Sequence, residues 1–341
     1  MIPHGIRLEQ NKSAVLRRGI REVPAPEGFP ALPSFAPARR EPGPKRILED
    51  AERAGIRDEI DGAPLEEKLW ALTKRATGLL VAAGFDDDPF SACEEVFLRE
   101  NAEKVADGLA LAAAACRAGE TLIAAASRRE ARRAAARISG VRTVAAGKRY
   151  PAGFFLLQKF RRRGKTAALV GVQACAALSD AVREGLPQSE TVVTVSGNGA
   201  SAPGSFRVRI GTPFETLLKA AGVDSRMRFV TAGPALTGRA VRDLAMPVTA
   251  STRCITVTKK APPVRVFPCV RCGRCAAVCP VGAVPWLVHR ELESGAPESF
   301  LFFHAGECLG CRACDAVCPS GIGLADEVKR AAELKEGRRS P

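Results

Sequence analysis

Of 341 residues only one is tyrosine and two are tryptophan, and aromatics together make up 5%. A surface that stacks single-stranded bases needs several such rings, so this scarcity, with no recognisable nucleic-acid motif, argues against nucleic acid as a partner. Histidine is almost as rare: His4, His289 and His304 lie apart, outside any metal-ligand or catalytic spacing. A long apolar run is missing too. The nearest approach, from about Ala167 to Leu178, falls well short of the roughly 18 to 20 residues that span a bilayer. The opening stretch, MIPHGIRLEQNKS, lacks the apolar core of a secretion signal. The expectation is a cytoplasmic protein that meets the cytoplasmic side of a membrane only peripherally, through partner subunits.

Cysteine, by contrast, is plentiful, with twelve in the chain. Eight fall in two copies of one pattern, Cys269-x2-Cys272-x2-Cys275-x3-Cys279-Pro280 and Cys308-x2-Cys311-x2-Cys314-x3-Cys318-Pro319. Three thiolates at that pitch wrap one iron-sulfur cubane, while the fourth, set off by an extra residue and a proline, points away from it. In the two-cluster ferredoxin arrangement that fourth thiolate ligates the cluster of the opposite run. The expected sets are therefore Cys269, Cys272, Cys275 and Cys318 for one [4Fe-4S] cluster, and Cys308, Cys311, Cys314 and Cys279 for the other. A pair of structural zinc sites would need only two thiolates per knuckle and has no use for the third. Eight cysteines in this spacing imply reduced thiols inside a cell rather than disulfides. Cys93, Cys116, Cys175 and Cys254 stand outside any motif and read as buried spare thiols.

The formal net charge is +14, unevenly spread. Between Arg128 and Lys165 thirteen Lys or Arg face the single acid Glu130. Such a surface either steers acidic carriers of the ferredoxin or flavodoxin kind into encounter or is a solvated Arg-rich helix face with its loop.

In chain order, residues 1–45 hold eight prolines and read as an arm laid over the protein or a lead-in. Residues 46–188 alternate apolar strand-like runs (78–85, 121–126, 167–172) with helical stretches (94–115, 128–138 and one ending near Gly185), the pattern of βαβ units around a mostly parallel sheet. Residues 189–262 change texture. TVVTVS and SFRVRI flank a GNGASAPG turn, Thr212-Pro213-Phe214-Glu215 reads as a capping-box helix start, and strands near Met227–Thr231 and Cys254–Thr258 complete a small β-grasp-like unit. The two-cluster ferredoxin-like domain covers 263–325, and 326–341 are a C-terminal helix and tail, with Leu324, Val328 and Ala331 on one helical face.

This order of parts resembles the C subunit of Rnf-type ion-translocating ferredoxin:NAD oxidoreductase complexes. Electron-transfer proteins of proline reductase systems and, more distantly, the flavin and NADH subunit of respiratory complex I are similar. The residues that carry the likeness are GFDDDPFSACEEVFLRE, KRYPAGFF, the run from GVQACAALSDAV to GTPFETLLKAAG, MPVTASTRCITV and the cysteine runs. The resemblance implies an α/β domain, a β-grasp domain of the soluble-ligand-binding (SLBB) type and a ferredoxin-like domain. It further implies an oxidoreductase subunit that relays electrons between redox partners, either a ferredoxin- or flavodoxin-like carrier or the subunits of a membrane or reductase complex. It also implies flavin mononucleotide (FMN) and NADH, and Asp86, Asp87 and Asp88 read either as what remains of their pocket or as solvated loop charge. Where the family carries a glycine-rich phosphate loop, however, this chain has AGIRDEIDGAPLEEKL, with Asp58, Glu59, Asp61, Glu66 and Glu67 around Gly62. Carboxylates there repel a phosphate and compete for its N–H donors, so the flavin loop is expected to be degraded. The flavin-dependent NADH dehydrogenase module is kept as the alternative reading, and a ligand-binding or docking scaffold as the second.

Overall fold

The structure, a computed structural model, describes residues 15, 19–26, 28–38, 41–88, 90–224, 229–234, 236–259, 265–295 and 304–337. Most of the first 18 residues, and the start of the strand expected at Met227, lie outside them. The chain divides into two compact units, one built chiefly from residue 260 onward and the other from 8–234 and 239–259.

In the larger unit, α1 (Pro44–Arg53) and α2 (Leu65–Lys74) precede β2 (Leu79–Gly84). There follow α3 (Cys93–Cys116), β3 (Glu120–Ala125), α4 (Arg128–Ala135), β4 (Arg142–Ala145), α5 (Ala152–Arg161), β5 (Ala167–Gly171) and α6 (Val172–Glu184). The four strands form an all-parallel sheet in the order β4-β3-β2-β5. Every residue of β2 is buried. Leu80 and Ala82 share a core with residues of α3 and α6, whereas Leu79, Val81 and Ala83 pack with Leu156 and Phe160 of α5. Cover on both faces is why GLLVAA reads as a continuous apolar run rather than an alternating one. Strand β4 and helix α5 were not anticipated. Strand β4 is short and has no fully buried residue, and α5, although largely apolar (Phe154, Phe155, Leu156, Leu157 and Phe160), lies within the most basic stretch of the sequence, where no clear period stands out.

The same unit carries a mixed six-stranded sheet ordered β1-β7-β6-β10-β8-β9. Its members are β1 (Ile20–Glu22), β6 (Glu190–Ser196), β7 (Gly204–Arg209), β8 (Phe229–Ala232), β9 (Arg239–Val241) and β10 (Cys254–Thr258). Strands β6 and β7 form the antiparallel hairpin expected around GNGASAPG. The proline-rich arm is laid along the protein: β1 pairs with β7, and Phe35 and Ala38 donate backbone hydrogen bonds to Gly185 and Val182. Helix α7 (Phe214–Ala220) starts where proposed, but not by a capping box. Its first amides, those of Phe214 and Glu215, donate to the carbonyls of Met246 and Leu244, so no side-chain cap is needed, and Thr212 Oγ1 is buried without a partner among the described residues.

The smaller unit consists of α8 (Arg274–Val278), α9 (Pro285–Ser294), a 3-10 turn (Ala305–Glu307), α10 (Ala313–Val317) and α11 (Leu324–Gly337). Val288, Ala305, Val328 and Ala331 make one small core, and Cys275, Ile322 and Leu324 another. Among the described residues no helix is long and apolar enough to cross a membrane.

Candidate metal centre and a closed crevice

The two cysteine runs of the smaller unit fold alike. In the first, Arg271 and Gly273, on either side of Cys272, have positive φ (53° and 72°); in the second, Gly310 and Arg312 do the same around Cys311 (63° and 58°). Alternation of left-handed residues turns successive N–H groups towards one concave side, the backbone geometry that suits an anionic cluster. One such donor, Gly310 N–H, lies 3.4 Å from Cys308 Sγ. The third cysteine of each run then opens or enters a short helix, α8 for Cys275 and α10 for Cys314. The fourth, Cys279 or Cys318, leaves that helix in extended conformation (ψ 120° and 114°), as a residue before proline prefers.

The result is two cavities, each lined by four cysteines drawn unequally from the two runs. Cys269, Cys272 and Cys275 share the first with Cys318, and Trp286, Ile322 and Leu324 also line its wall. Cys308, Cys311 and Cys314 share the second with Cys279, beside Ala325 and Val328. None of the eight is in a disulfide. Burial pushes Cys275, Cys311 and Cys314 above the ordinary thiol range, and the Asp315 carboxylate adds to the effect on Cys314. Thiolates so placed need a cation to hold them charged, which an iron cluster supplies. The donor set therefore fits a cubane in each cavity.

Flavin is a different matter. In the parallel sheet of the larger unit the order reverses at β2, whose neighbours β3 and β5 lie on opposite sides, so the crevice at the carboxyl ends of β2 and β5 is where such folds take a nucleotide. Here Asp86, Asp87 and Asp88 follow β2. Asp86 Oδ2 accepts from the amides of Glu94 and Glu95 at 3.1 Å and caps α3. Asp87 Oδ1 accepts from Ala152 N–H at 2.6 Å and caps α5. Asp88 folds back on Phe90 N–H at 2.7 Å. The start of α6, directly after β5, is taken by the loop between α1 and α2: Glu59 accepts from Gln173 and Ala174 N–H at 2.7 and 2.9 Å, and Asp58 accepts from Gly171 N–H at 3.2 Å. A Cβ at Gly171 would stand 2.1 Å from the Glu59 carboxylate. The donors a flavin phosphate would need are in use, and the residues do not fit it.

A buried polar network backs this plug. Lys68 bridges Asp58 and Asp61 at 2.6 and 2.8 Å. Glu94 Oε1 accepts from Arg253 Nε at 3.0 Å and from Gln173 Nε2 at 3.3 Å. The amide of Gln173 also exchanges hydrogen bonds with both backbone groups of Val192, tying α6 to β6. Asp86, Cys93 and Glu94 bring donor atoms within 4.8 Å of one another, and Arg253 supplies the positive charge beside them. Burial, with the Glu94 and Asp58 charges behind it, pushes Glu59 well above the usual carboxylate range; burial also raises Glu94, against the pull of Arg253. Cys93, Cys175 and Cys116 are raised by burial as well, and Cys254 to about 12, so the four spare thiols are protonated and inert.

A pH dependence follows. Carboxyls whose folded pKa lies above the unfolded value of about 4.3 stabilise fully below that value and lose the contribution as pH rises through the folded pKa. The unfolding free energy measured in urea should therefore fall from mildly acidic to mildly alkaline solution, by up to about 1.4 kcal/mol per pH unit for each proton held. Glu94→Gln, which fixes the neutral form, should flatten that slope.

Residues 268–322 match the family model described as the 4Fe-4S dicluster domain. The C subunit of the ion-translocating oxidoreductase complex of Pseudomonas aeruginosa is 31% identical over 274 residues, covering 74% of this chain and 35% of that protein. Its counterpart in Rhodobacter capsulatus is 29% identical over 289 residues, covering 78% of this chain and 55% of that one. The chain thus spans about half the length, or less, of these curated relatives. Among solved structures, an NAD+-reducing [NiFe]-hydrogenase in the air-oxidized state superposes with a TM-score of 0.52 at 17% identity over 86% of this chain and 54% of that chain, a likeness of fold. By sequence, the chain is a relative of the C subunits of ion-translocating oxidoreductase complexes, and it carries an iron-sulfur domain of the dicluster kind.

Proposed function

We propose that this chain is an electron-transfer iron-sulfur protein that holds two [4Fe-4S] clusters, one on Cys269, Cys272, Cys275 and Cys318 and one on Cys308, Cys311, Cys314 and Cys279. The observation that carries this reading is the crossed lining of the two cavities, three thiols from one run and the last of the other. When bound, such a cluster takes up and gives back one electron at a time. The chain's own part is to hold the thiolates, to aim left-handed turns and the Gly310 amide at them, and to wall the site with Trp286, Ile322 and Leu324 against water. Those are the levers by which a protein sets a cluster's potential.

The domain scheme is an α/β part at 46–188, a β-grasp part of the soluble-ligand-binding type at 189–262 and a ferredoxin-like part at 263–325; the strand pairings of the two sheets support the first two, with β1 of the arm joining the second, and the family match at 268–322 supports the third. Redox subunits of a larger complex are the partners suggested by the names of the relatives, and attachment to a membrane would come through them. The basic stretch favours an acidic carrier: of its thirteen cations all but Lys165 are exposed, and only Arg133, Arg142 and Lys165 form an ion pair among the described residues.

Iron and acid-labile sulfide in protein purified without oxygen test the proposal. About eight irons per chain, and a spin-resonance signal at low temperature after reduction, are expected. Zinc in their place would overturn it.

A further inference from the structure

Helix N-termini at the carboxyl edge of a parallel sheet are ready-made anion sites, because their first amides have no partner within the helix. In this α/β layer the chain itself supplies a partner at the start of each of the four helices. Ser127 caps α4 through Glu130 N–H at 3.2 Å, Asp86 caps α3 and Asp87 caps α5. Glu59 takes the amides of Gln173 and Ala174, the second and third residues of α6, the helix that opens directly from the switch-point crevice. Glu59 is 2% exposed and comes from a loop more than one hundred positions away in sequence, so it is no local turn. Its two oxygens meet two successive N–H groups as two oxygens of a phosphate would.

We propose that Glu59 is a built-in substitute for a nucleotide phosphate, and that the crevice takes neither FMN nor NADH. This rests on the electron-transfer reading, and sharpens it. A chain whose crevice is closed offers no hydride acceptor, so its reductant is a one-electron donor protein rather than a nicotinamide nucleotide. Three features point the same way. The Gly171 position leaves no room between backbone and carboxylate. Asp58, which is buried, and Asp61 add further negative charge at the mouth, and Lys68 already bridges them. Arg253, the cation beside Glu94, is committed to Glu94 and Asp86 and is not available to a phosphate.

The test uses the full chain purified without oxygen, with iron and sulfide measured on the same sample. Acid extraction should release no flavin, and titration with FMN or NADH should show no binding tighter than about 1 mM. Stoichiometric flavin, or sub-millimolar binding of either nucleotide, would overturn the inference while leaving the electron-transfer reading intact; absence of iron would overturn that reading instead. Glu59→Ala frees the amides of Gln173 and Ala174. Folded by circular dichroism, it should bind inorganic phosphate at least about tenfold tighter than the parent chain. Equal indifference in both would remove Glu59 from its assigned role. If the alanine variant does not fold, Glu59→Gln, which keeps the volume and one acceptor oxygen but loses the charge, should shift phosphate binding in the same direction by a smaller factor, and no shift would count against the proposal.

Discussion

Replacing Cys279 with serine will remove the cluster associated with Cys308, Cys311 and Cys314 and spare the one associated with Cys275, the cysteine four positions before it. A serine hydroxyl keeps its proton at neutral pH and is not the soft thiolate that iron-sulfur clusters select. Cys279 lines the cavity of the second run, sent there by its extended backbone and by Pro280. Iron should fall from about eight to about four per chain. The reduced protein should lose the signature of two interacting spins and keep that of one isolated cluster. The decisive comparison is among four variants. Cys279→Ser should match Cys311→Ser in its spectrum, and Cys318→Ser should match Cys275→Ser. A Cys279→Ser spectrum that matched Cys275→Ser would mean that each run closes on itself, and the crossed arrangement would be lost.

The proposed arrangement is read from the spacing alone, because a metal site is written in spacing. The identical pitch of the two runs and the two Cys-Pro endings constrain the backbone so tightly that little else about the unit matters. The parallel sheet was legible for a related reason. A strand covered on both faces, such as Leu79–Gly84, has to be apolar throughout, and a helix of the length of α3 has to show its period. The edge strand Arg142–Ala145 has neither property: its first residue is exposed and the other three only half-buried.

The plug was half legible. The sequence placed acidic residues where a glycine-rich loop was expected, and charge alone argued against a phosphate. What it did not indicate is that Glu59 reaches the start of α6, because a contact between residues 59 and 173 is a property of the tertiary fold with no local period to announce it. Asp86, Asp87 and Asp88 show the complementary difficulty. Three consecutive acids look like a pocket, yet the structure uses them for two helix caps and one turn. A signal was available in retrospect: α3 and α5, the helices that Asp86 and Asp87 cap, begin without a Ser, Thr, Asn or Asp of their own at the N-cap, since Ala92 and Pro151 occupy those positions.

Arg253→Met should destabilise the larger unit by about 3–5 kcal/mol, the cost of leaving buried carboxylates without their counter-charge. The side chain is 22% exposed, and its guanidinium lies 3.0 Å from Glu94 and 3.9 Å from Asp86. Burial works against that charge, but the Glu94 and Asp86 carboxylates outweigh it and push the guanidinium up. Methionine matches the length of the aliphatic stem, so packing changes little and the loss is electrostatic. Without the guanidinium, Glu94 rises further above its ordinary range, since the strongest neighbour pulling it down has gone. A raised carboxyl stabilises below its unfolded pKa and ceases to do so as pH climbs through the folded value. The deficit of Arg253→Met against the parent chain should therefore be largest in neutral and alkaline solution and shrink towards acid. Adding Glu94→Gln removes one of the stranded charges and should restore about half of the lost stability, a coupling that two independent sites would not show. Urea unfolding of both single variants and the double variant, followed by far-ultraviolet circular dichroism across pH, measures all of this. A deficit that stays constant with pH, or strict additivity in the double variant, would mean that Arg253 packs rather than neutralises.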